Sequence, residues 1–272
     1  MKRALLALAV LAAACSAGGD RYLPEFAERE VVTATNGPVT FTVAPNRRVY
    51  FAELRTNRFF AVDGNQPHEL FTTPDKPDSL VVDAHGVVYV AARTKQHRLF
   101  VTKYLRDETR VILEGPSSRF PAHLALTSGG ELVLGQGDKV LQVEPYHSVS
   151  SRWTDPVVTA GRGSRIWVAD NGLPGSKERV ARGRERSVDK RNRFASVLPA
   201  YTNPSGMALL NDELLLCSRT HKKVYRLHIG LDDVARRRGW MNGLICDRDI
   251  AVDSRGGLYT ATTDAIYYYP PR

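Results

Sequence analysis

The chain has 272 residues, 43% of them hydrophobic and 25% charged, with a formal net charge of +9 from 38 Lys and Arg against 29 Asp and Glu. That is enough apolar material for a sizeable core under an ordinary charged surface, which excludes intrinsic disorder, and the length suits one domain. The excess charge is concentrated: residues 177–193 (KERVARGRERSVDKRNR) carry eight Lys or Arg against three acids.

At the amino terminus Lys2 and Arg3 precede an apolar run, Ala4 to Ala14, made only of Ala, Leu and Val and ending directly before Cys15. A bilayer-spanning helix needs about 20 apolar residues, so this run is too short to span and reads as an export signal. The segment LAAAC resembles a lipobox, in which the Cys receives a diacylglycerol before cleavage. The expectation is therefore a signal at 1–14, a lipid-bearing Cys15 and a tether at 15–25, with 26–272 as the folded domain. An ordinary signal cleaved near Ala14 is the alternative. With Ser16 after the Cys, the resemblance implies attachment to the cell envelope, on the outer membrane of a Gram-negative cell. An exported chain argues against nucleic acid as a partner. Cys217 and Cys246 would then lie in a compartment that permits disulfides. Both sit in apolar runs, ELLLC and GLIC, and a bridge and two separate buried thiols remain open alternatives.

From residue 40 onward one pattern recurs: an apolar strand, a polar or Gly-containing turn, a second apolar strand and a polar loop. The clear copies are LVVDAHGVVYVAAR (80–93), LALTSGGELVLGQG (124–137), MALLNDELLLCSR (207–219) and IAVDSRGGLYTATT (250–263). TFTVAPNRRVYFAEL (40–54) and VVTAGRGSRIWVAD (157–170) are looser ones. Central residues of the second strands are Tyr50, Tyr89, Val133, Trp167, Leu215 and Tyr259, spaced by 39, 44, 34, 48 and 44. Such a period with short, Val-, Leu- and Tyr-rich runs fits a four-stranded antiparallel blade and not a helical repeat. The last copy ends after AIYYY, one strand short, and EREVVTAT (28–35) is an orphan that supplies it. The expected fold is all-β, a six-bladed β-propeller closed by its amino-terminal strand. In the fourth repeat the basic run 177–193 is expected to be a solvated, mobile insertion, with docking to acidic headgroups or an acidic polymer as the alternative.

LPEF with REVVTA, VAPNRRVYFAEL, and FASVLPAYTNPSGMALLNDELLLCSR resemble the six-bladed superfamily of glucose/sorbosone dehydrogenases, gluconolactonase-like and NHL-repeat proteins. The resemblance covers nearly the whole mature chain and implies the fold. It does not carry the chemistry. Where the dehydrogenases place a catalytic His before the strand matching LALTSGGELVLGQGD, this chain has Arg119, with His123 displaced by four positions. Where gluconolactonase-like enzymes hold a divalent metal, this chain has Asn36, Ser205 and Arg248. No cofactor or metal is expected from these residues.

In a propeller, the loops leading into each inner strand and those leaving each second strand gather round one mouth of the central channel. Here they supply Arg55, Arg93, Arg119, Arg219 and Arg248, with His123, His221, Asp170, Asn171 and Asn203 as further ligand-binding candidates. Converging guanidinium groups would suit a carboxylate, phosphate or acidic sugar, because Arg binds such groups in bidentate fashion. The plainer reading is that each Arg pairs with a loop acid. Asp83 and Asp253 read as turn formers ahead of Gly. Two functions follow: a non-catalytic envelope module presenting an Arg-rich face to an anionic small molecule, glycan or protein partner, or a sugar dehydrogenase- or lactonase-type enzyme with a rearranged site around His123, Asp170 and Asn203.

Overall fold

A computed structural model describes residues 26–106, 108–144, 146–151, 153–160, 165–170, 179–184, 196–197, 203–229 and 235–272. Residues 1–25, with the expected signal, Cys15 and tether, lie outside the described residues, as does Asn171. Strand β1 (Glu30–Ala34) comes first. Five sequential groups of four follow: β2 (Val39–Val43), β3 (Val49–Glu53), β4 (Arg58–Asp63) and β5 (Gln66–Thr72); β6 (Lys76–Val82), β7 (Val88–Arg93), β8 (Arg98–Tyr104) and β9 (Thr109–Pro116); β10 (His123–Leu126), β11 (Leu132–Gln136), β12 (Lys139–Gln142) and β13 (His147–Ser151); β14 (Pro156–Ala160), β15 (Arg165–Asp170), β16 (Arg179–Arg184) and β17 (Ser196–Val197); β18 (Pro204–Leu210), β19 (Glu213–Ser218), β20 (Lys223–Ile229) and β21 (Ala235–Ile245). The chain ends with β22 (Asp249–Val252), β23 (Leu258–Ala261) and β24 (Ala265–Tyr269).

Each group is one antiparallel sheet with its strands in chain order, and the last sheet takes β1 as its outer strand, in the order β1-β24-β23-β22. β1 pairs with the Tyr-rich β24 from Glu30↔Tyr268 to Ala34↔Ala265, with Phe26 bridging Pro271 just beyond. First strands of successive sheets touch in a cycle, β2 with β6, then β10, β14, β18, β22 and β2 again. The arrangement is a β-propeller. Among the described residues no helix is long and apolar enough to cross a membrane.

Burial follows position in the sheet. Second strands read as buried runs, VYFAE in β3 and LLLCS in β19, because both of their faces meet neighbouring sheets. Outer strands such as β5, QPHELFT, are almost wholly exposed and correspondingly polar. The apolar clusters straddle sheet boundaries. Ala52 and Phe59 pack with Leu80, Val88 and Val90 of the next sheet, and Phe41 and Phe51 with Tyr259 and Ile266 across the β2–β22 junction. Truncating a fully buried member such as Leu215 to Ala is worth about 2–5 kcal/mol, from lost transfer energy and the cavity left behind.

Two expectations are settled here. Cys217 and Cys246 form a disulfide, both sulfurs fully buried, joining β19 to the loop before β22. The basic run 177–193 is not wholly an insertion, because residues 179–184 are strand β16, paired with β15 from Arg165↔Arg184 to Asp170↔Arg179. β15 is a buried apolar strand whose backbone groups on the side away from β14 need partners, and its ladder captures six residues of the run despite their charge.

Candidate functional site

The six inner strands enclose a channel cavity of about 490 Å³, within the ~300–1,000 Å³ typical of ligand sites. Most of the residues lining it are apolar, such as Phe41, Leu80, Val158 and Met207, but polar atoms make up about half of its surface. Its polar atoms come from a few places, Ser79, His123, Thr127 and Asp249 among them. His123 opens β10 and Asp249 opens β22, so both stand at the mouth end, three inner strands apart round the ring.

Asp249 ties its own sheet to the β2 sheet and packs against a third. Its Oδ1 accepts from Ile250 N at 2.9 Å, and its Oδ2 from Thr40 Oγ1 at 3.1 Å and Phe41 N at 3.3 Å on β2. Gly206 on β18 makes room for it, because a Cβ there would lie 2.5 Å from Oδ1. Burial outweighs those three donors and pushes the carboxyl up to about 7. His123 moves the other way, down to about 4, first by burial and then by the positive charges of Arg219 and Arg93. Its imidazole is therefore neutral near pH 7.

The candidate cations divide into satisfied and unsatisfied. Arg93 is satisfied, against its expected role as a ligand contact: its Nε sits 2.6 Å from the nearly inaccessible Asp78 carboxylate and its NH1 donates to Ser118 O at 3.3 Å. Asp78 in turn accepts from Ala122 N at 3.0 Å, so the pair fastens the β6–β9 sheet to the next. Arg248 lies 3.8 Å from Asp247, a loose pairing. Arg219 makes no ion pair among the described residues. Although the residue is exposed, protein packed round its guanidinium and the nearby Arg248 lower its pKa, against the opposing pull of Asp155 and Asp247. Asn203, held at φ 44°, accepts Arg219 N on its carbonyl at 3.1 Å and so fixes the β18 approach loop beside the Arg219 turn.

Other candidates fall elsewhere. Asp170 does not face the ligand space: it is 1% exposed, and its Oδ1 accepts from Thr154 N at 3.0 Å and Asp155 N at 3.1 Å, shaping the approach to β14. Arg119 is exposed and lies over the Phe120 ring. Arg55 is exposed and runs across Gly37, where a Cβ would meet its Cδ at 2.9 Å. His221, in the same turn as Arg219, rests against Trp240 with ring centroids 4.6 Å apart. The structure thus groups Arg93, His123, Arg219 and Arg248 electrostatically and leaves Arg55 and Arg119 outside that group. Sequence reasoning undervalued Asp249, Thr40 and Gly206. The only local signal was the run Asp247-Arg248-Asp249 before a strand.

The positions matching a metal set also fail as ligands. Asn36 is exposed, the Ser205 hydroxyl donates to Cys217 O at 3.4 Å, and Arg248 is a cation. Among the described residues no three His, Cys, Asp or Glu side chains gather to hold an ion. These donors do not fit a divalent metal, and Arg119 in place of the catalytic His does not fit a quinone site.

No protein-family model matches this chain, and no curated protein does either. Solved structures do match. The PQQ-bound aldose sugar dehydrogenase from Streptomyces coelicolor superimposes with a TM-score of 0.72 at 11% identity, covering 89% of this chain and 98% of that one. An oxidoreductase (glucose dehydrogenase) from Thermus thermophilus gives 0.69 at 16% identity, over 89% and 99%. A streptogramin B lyase gives 0.61 at 14% identity, over 90% and 98%. The kinship is one of fold. These propellers are similar to the dehydrogenase-like and NHL-like group whose motifs the sequence resembles, and at such identity their activities do not transfer.

Proposed function

We propose that this chain is a lipid-anchored, six-bladed envelope propeller, closed by its amino-terminal strand, that holds an anionic ligand or partner group at the channel mouth. The carrying observation is Arg219, a cation without an ion pair among the described residues, set beside Arg248 and near enough to His123 to lower its pKa. Like charges crowded together make a site that an anion relieves, and a carboxylate or phosphate is the group that guanidinium accepts with two parallel hydrogen bonds. The exported, lipid-bearing state rests on Lys2-Arg3, the apolar run and LAAAC. The test uses the soluble chain from residue 16, titrated calorimetrically with inorganic phosphate and with a panel of small carboxylates. At least one should bind with an affinity that falls as salt rises, and Arg219→Ala should weaken it by about tenfold or more, the loss expected for one charge-assisted contact. Binding that ignores both salt and Arg219→Ala rejects this reading.

A second reading has one observation in its favour: a neutral His123 and a proton-poised Asp249 line the same cavity from opposite sides, so a substrate between them would meet both an acid and a base. It predicts turnover in a dye-reduction or lactone-hydrolysis assay that His123→Asn abolishes. Silence in both assays removes it.

A further inference from the structure

We infer that the lipid anchor seats the turn end of the propeller on the bilayer surface and points the Arg219 mouth away from it. This rests on the proposed lipidation of Cys15 and adds the orientation. Inner strands start at the mouth and run toward the opposite end, where the turns joining β2 to β3 and β22 to β23 meet through Arg47 and Asp253. β24 runs in the same direction as β22. Its antiparallel partner β1 therefore begins at the turn end, and Phe26, bridged to Pro271, marks where the tether leaves the fold. From Cys15 to Phe26 the chain makes 11 residue steps. A strand of about six residues sets the height of the ring at roughly 20 Å. Bringing the mouth to the membrane would require the tether to climb that height and still reach the lipid.

The turn end also carries side chains suited to an interface. Tyr146, in the β12–β13 loop, is 62% exposed and Leu105, in the β8–β9 loop, 37%, while Arg106, Arg255 and Arg272 project at the same end. Tyr at headgroup depth and Arg beside lipid phosphate are favourable pairings. Exposed Glu108, Glu144 and Asp212 share this end, so it is no polybasic patch. The lipid supplies attachment, and these side chains supply orientation.

The experiment takes the full lipidated chain into vesicles of 3:1 phosphatidylethanolamine and phosphatidylglycerol containing headgroup-spin-labelled lipid. A fluorophore is attached at Tyr146→Cys, Leu105→Cys or Lys95→Cys, the last in the β7–β8 turn at the mouth end. The buried Cys217–Cys246 bond and the lipid on Cys15 leave no competing thiol. Quenching several-fold stronger at 146 and 105 than at 95 is the expected result. Equal quenching, or stronger quenching at 95, overturns the orientation while leaving the anchor standing. A purified chain whose mass lacks a diacylglyceryl group on Cys15 overturns the anchor and the orientation with it, whatever the anion titration gives.

Discussion

At the turn end, four hairpins joining first to second strands repeat one geometry, and at the mouth three turns joining second to third strands repeat another, in which the left-handed Asn57, His97 and Lys222 (φ 56°, 58° and 53°) accept Thr73, Ser117 and Cys246 N on their carbonyls. The four hairpins close with the same backbone bond, Arg47 N to Ala44 O, Gly86 N to Asp83 O, Gly130 N to Thr127 O and Gly256 N to Asp253 O, at 2.8–3.1 Å. All four donors are left-handed, with φ of 69°, 81°, 84° and 83°. Asp83, Asp253 and Thr127 stabilise their turns by accepting backbone N–H groups. Asp83 and Asp253 are thus turn formers, as their sequence setting implies. Of the four, Arg47 alone occupies the left-handed position without being Gly. It uses that place to reach the neighbouring sheet, its Nε 2.9 Å from the fully buried Asp253 carboxylate and its NH2 donating to Tyr268 OH at 3.3 Å. Adjoining sheets at the mouth are joined by contacts each used once: Asp78 with Ala122 N, Asp249 with Thr40, and the disulfide. Repeated local geometry makes a scaffold, and single long-range contacts make it particular.

The largest effect expected from breaking a mouth contact comes from the disulfide. Its sequence separation is 29, and a loop of roughly that length is worth about 3–4 kcal/mol in unfolded-state entropy. Cys217→Ala with Cys246→Ala should lower the unfolding free energy from urea titration by that amount with little change in slope. An unchanged midpoint would show that the fold holds this junction without it.

Next comes pH. Asp249, raised to about 7, contributes stability that is complete below about pH 4 and lost as pH rises to 7. His123, lowered to about 4, contributes stability that is complete above about 6.5 and lost as pH falls to 4. The two slopes oppose each other across the same window, so the parent chain should show little net dependence from these groups. In Asp249→Asn, stability should rise from pH 4 to 6.5, and in His123→Asn it should fall from pH 4 to 7, each by on the order of 3 kcal/mol. Parallel slopes in the two variants would contradict the assignment.

The smallest effect sharpens the turn-end comparison. Arg47→Ala should cost about 1–2 kcal/mol, a charge-assisted bond to a carboxylate that keeps its backbone donors. Arg47→Gly should cost about 1 kcal/mol less than that, because it removes the left-handed strain along with the ion pair. Identical thermal midpoints for the two variants would deny that strain.

Much of this was legible along the chain. Alternation over five or six residues, Asp or Thr followed by Gly three residues on, and a period near 42 are local properties. The physics that reads them, side-chain periodicity and turn stereochemistry, acts within about 15 residues. The paired strands YVAAR, LVLGQ and LLLC lie where that pattern puts them, and EVVTA lies beside AIYYY because both were left without partners. The site was less legible. Ten candidates of the right type and position looked alike, yet Arg93 is neutralised by Asp78 and Asp170 is spent on two backbone N–H groups, while Arg219 is not paired among the described residues. Nothing near Arg93 or Arg219 in the chain distinguishes them.

By itself, then, the sequence determined the strands, their turns and the repeat, since each depends on neighbours a few residues away. Only the tertiary structure decided which charges are cancelled, which cysteines bond, and that a carboxyl at 249 answers to a hydroxyl at 40, 209 residues distant. Electrostatic environment is set by what lies within a few ångströms in space, and in a ring of sheets those neighbours come from opposite ends of the chain.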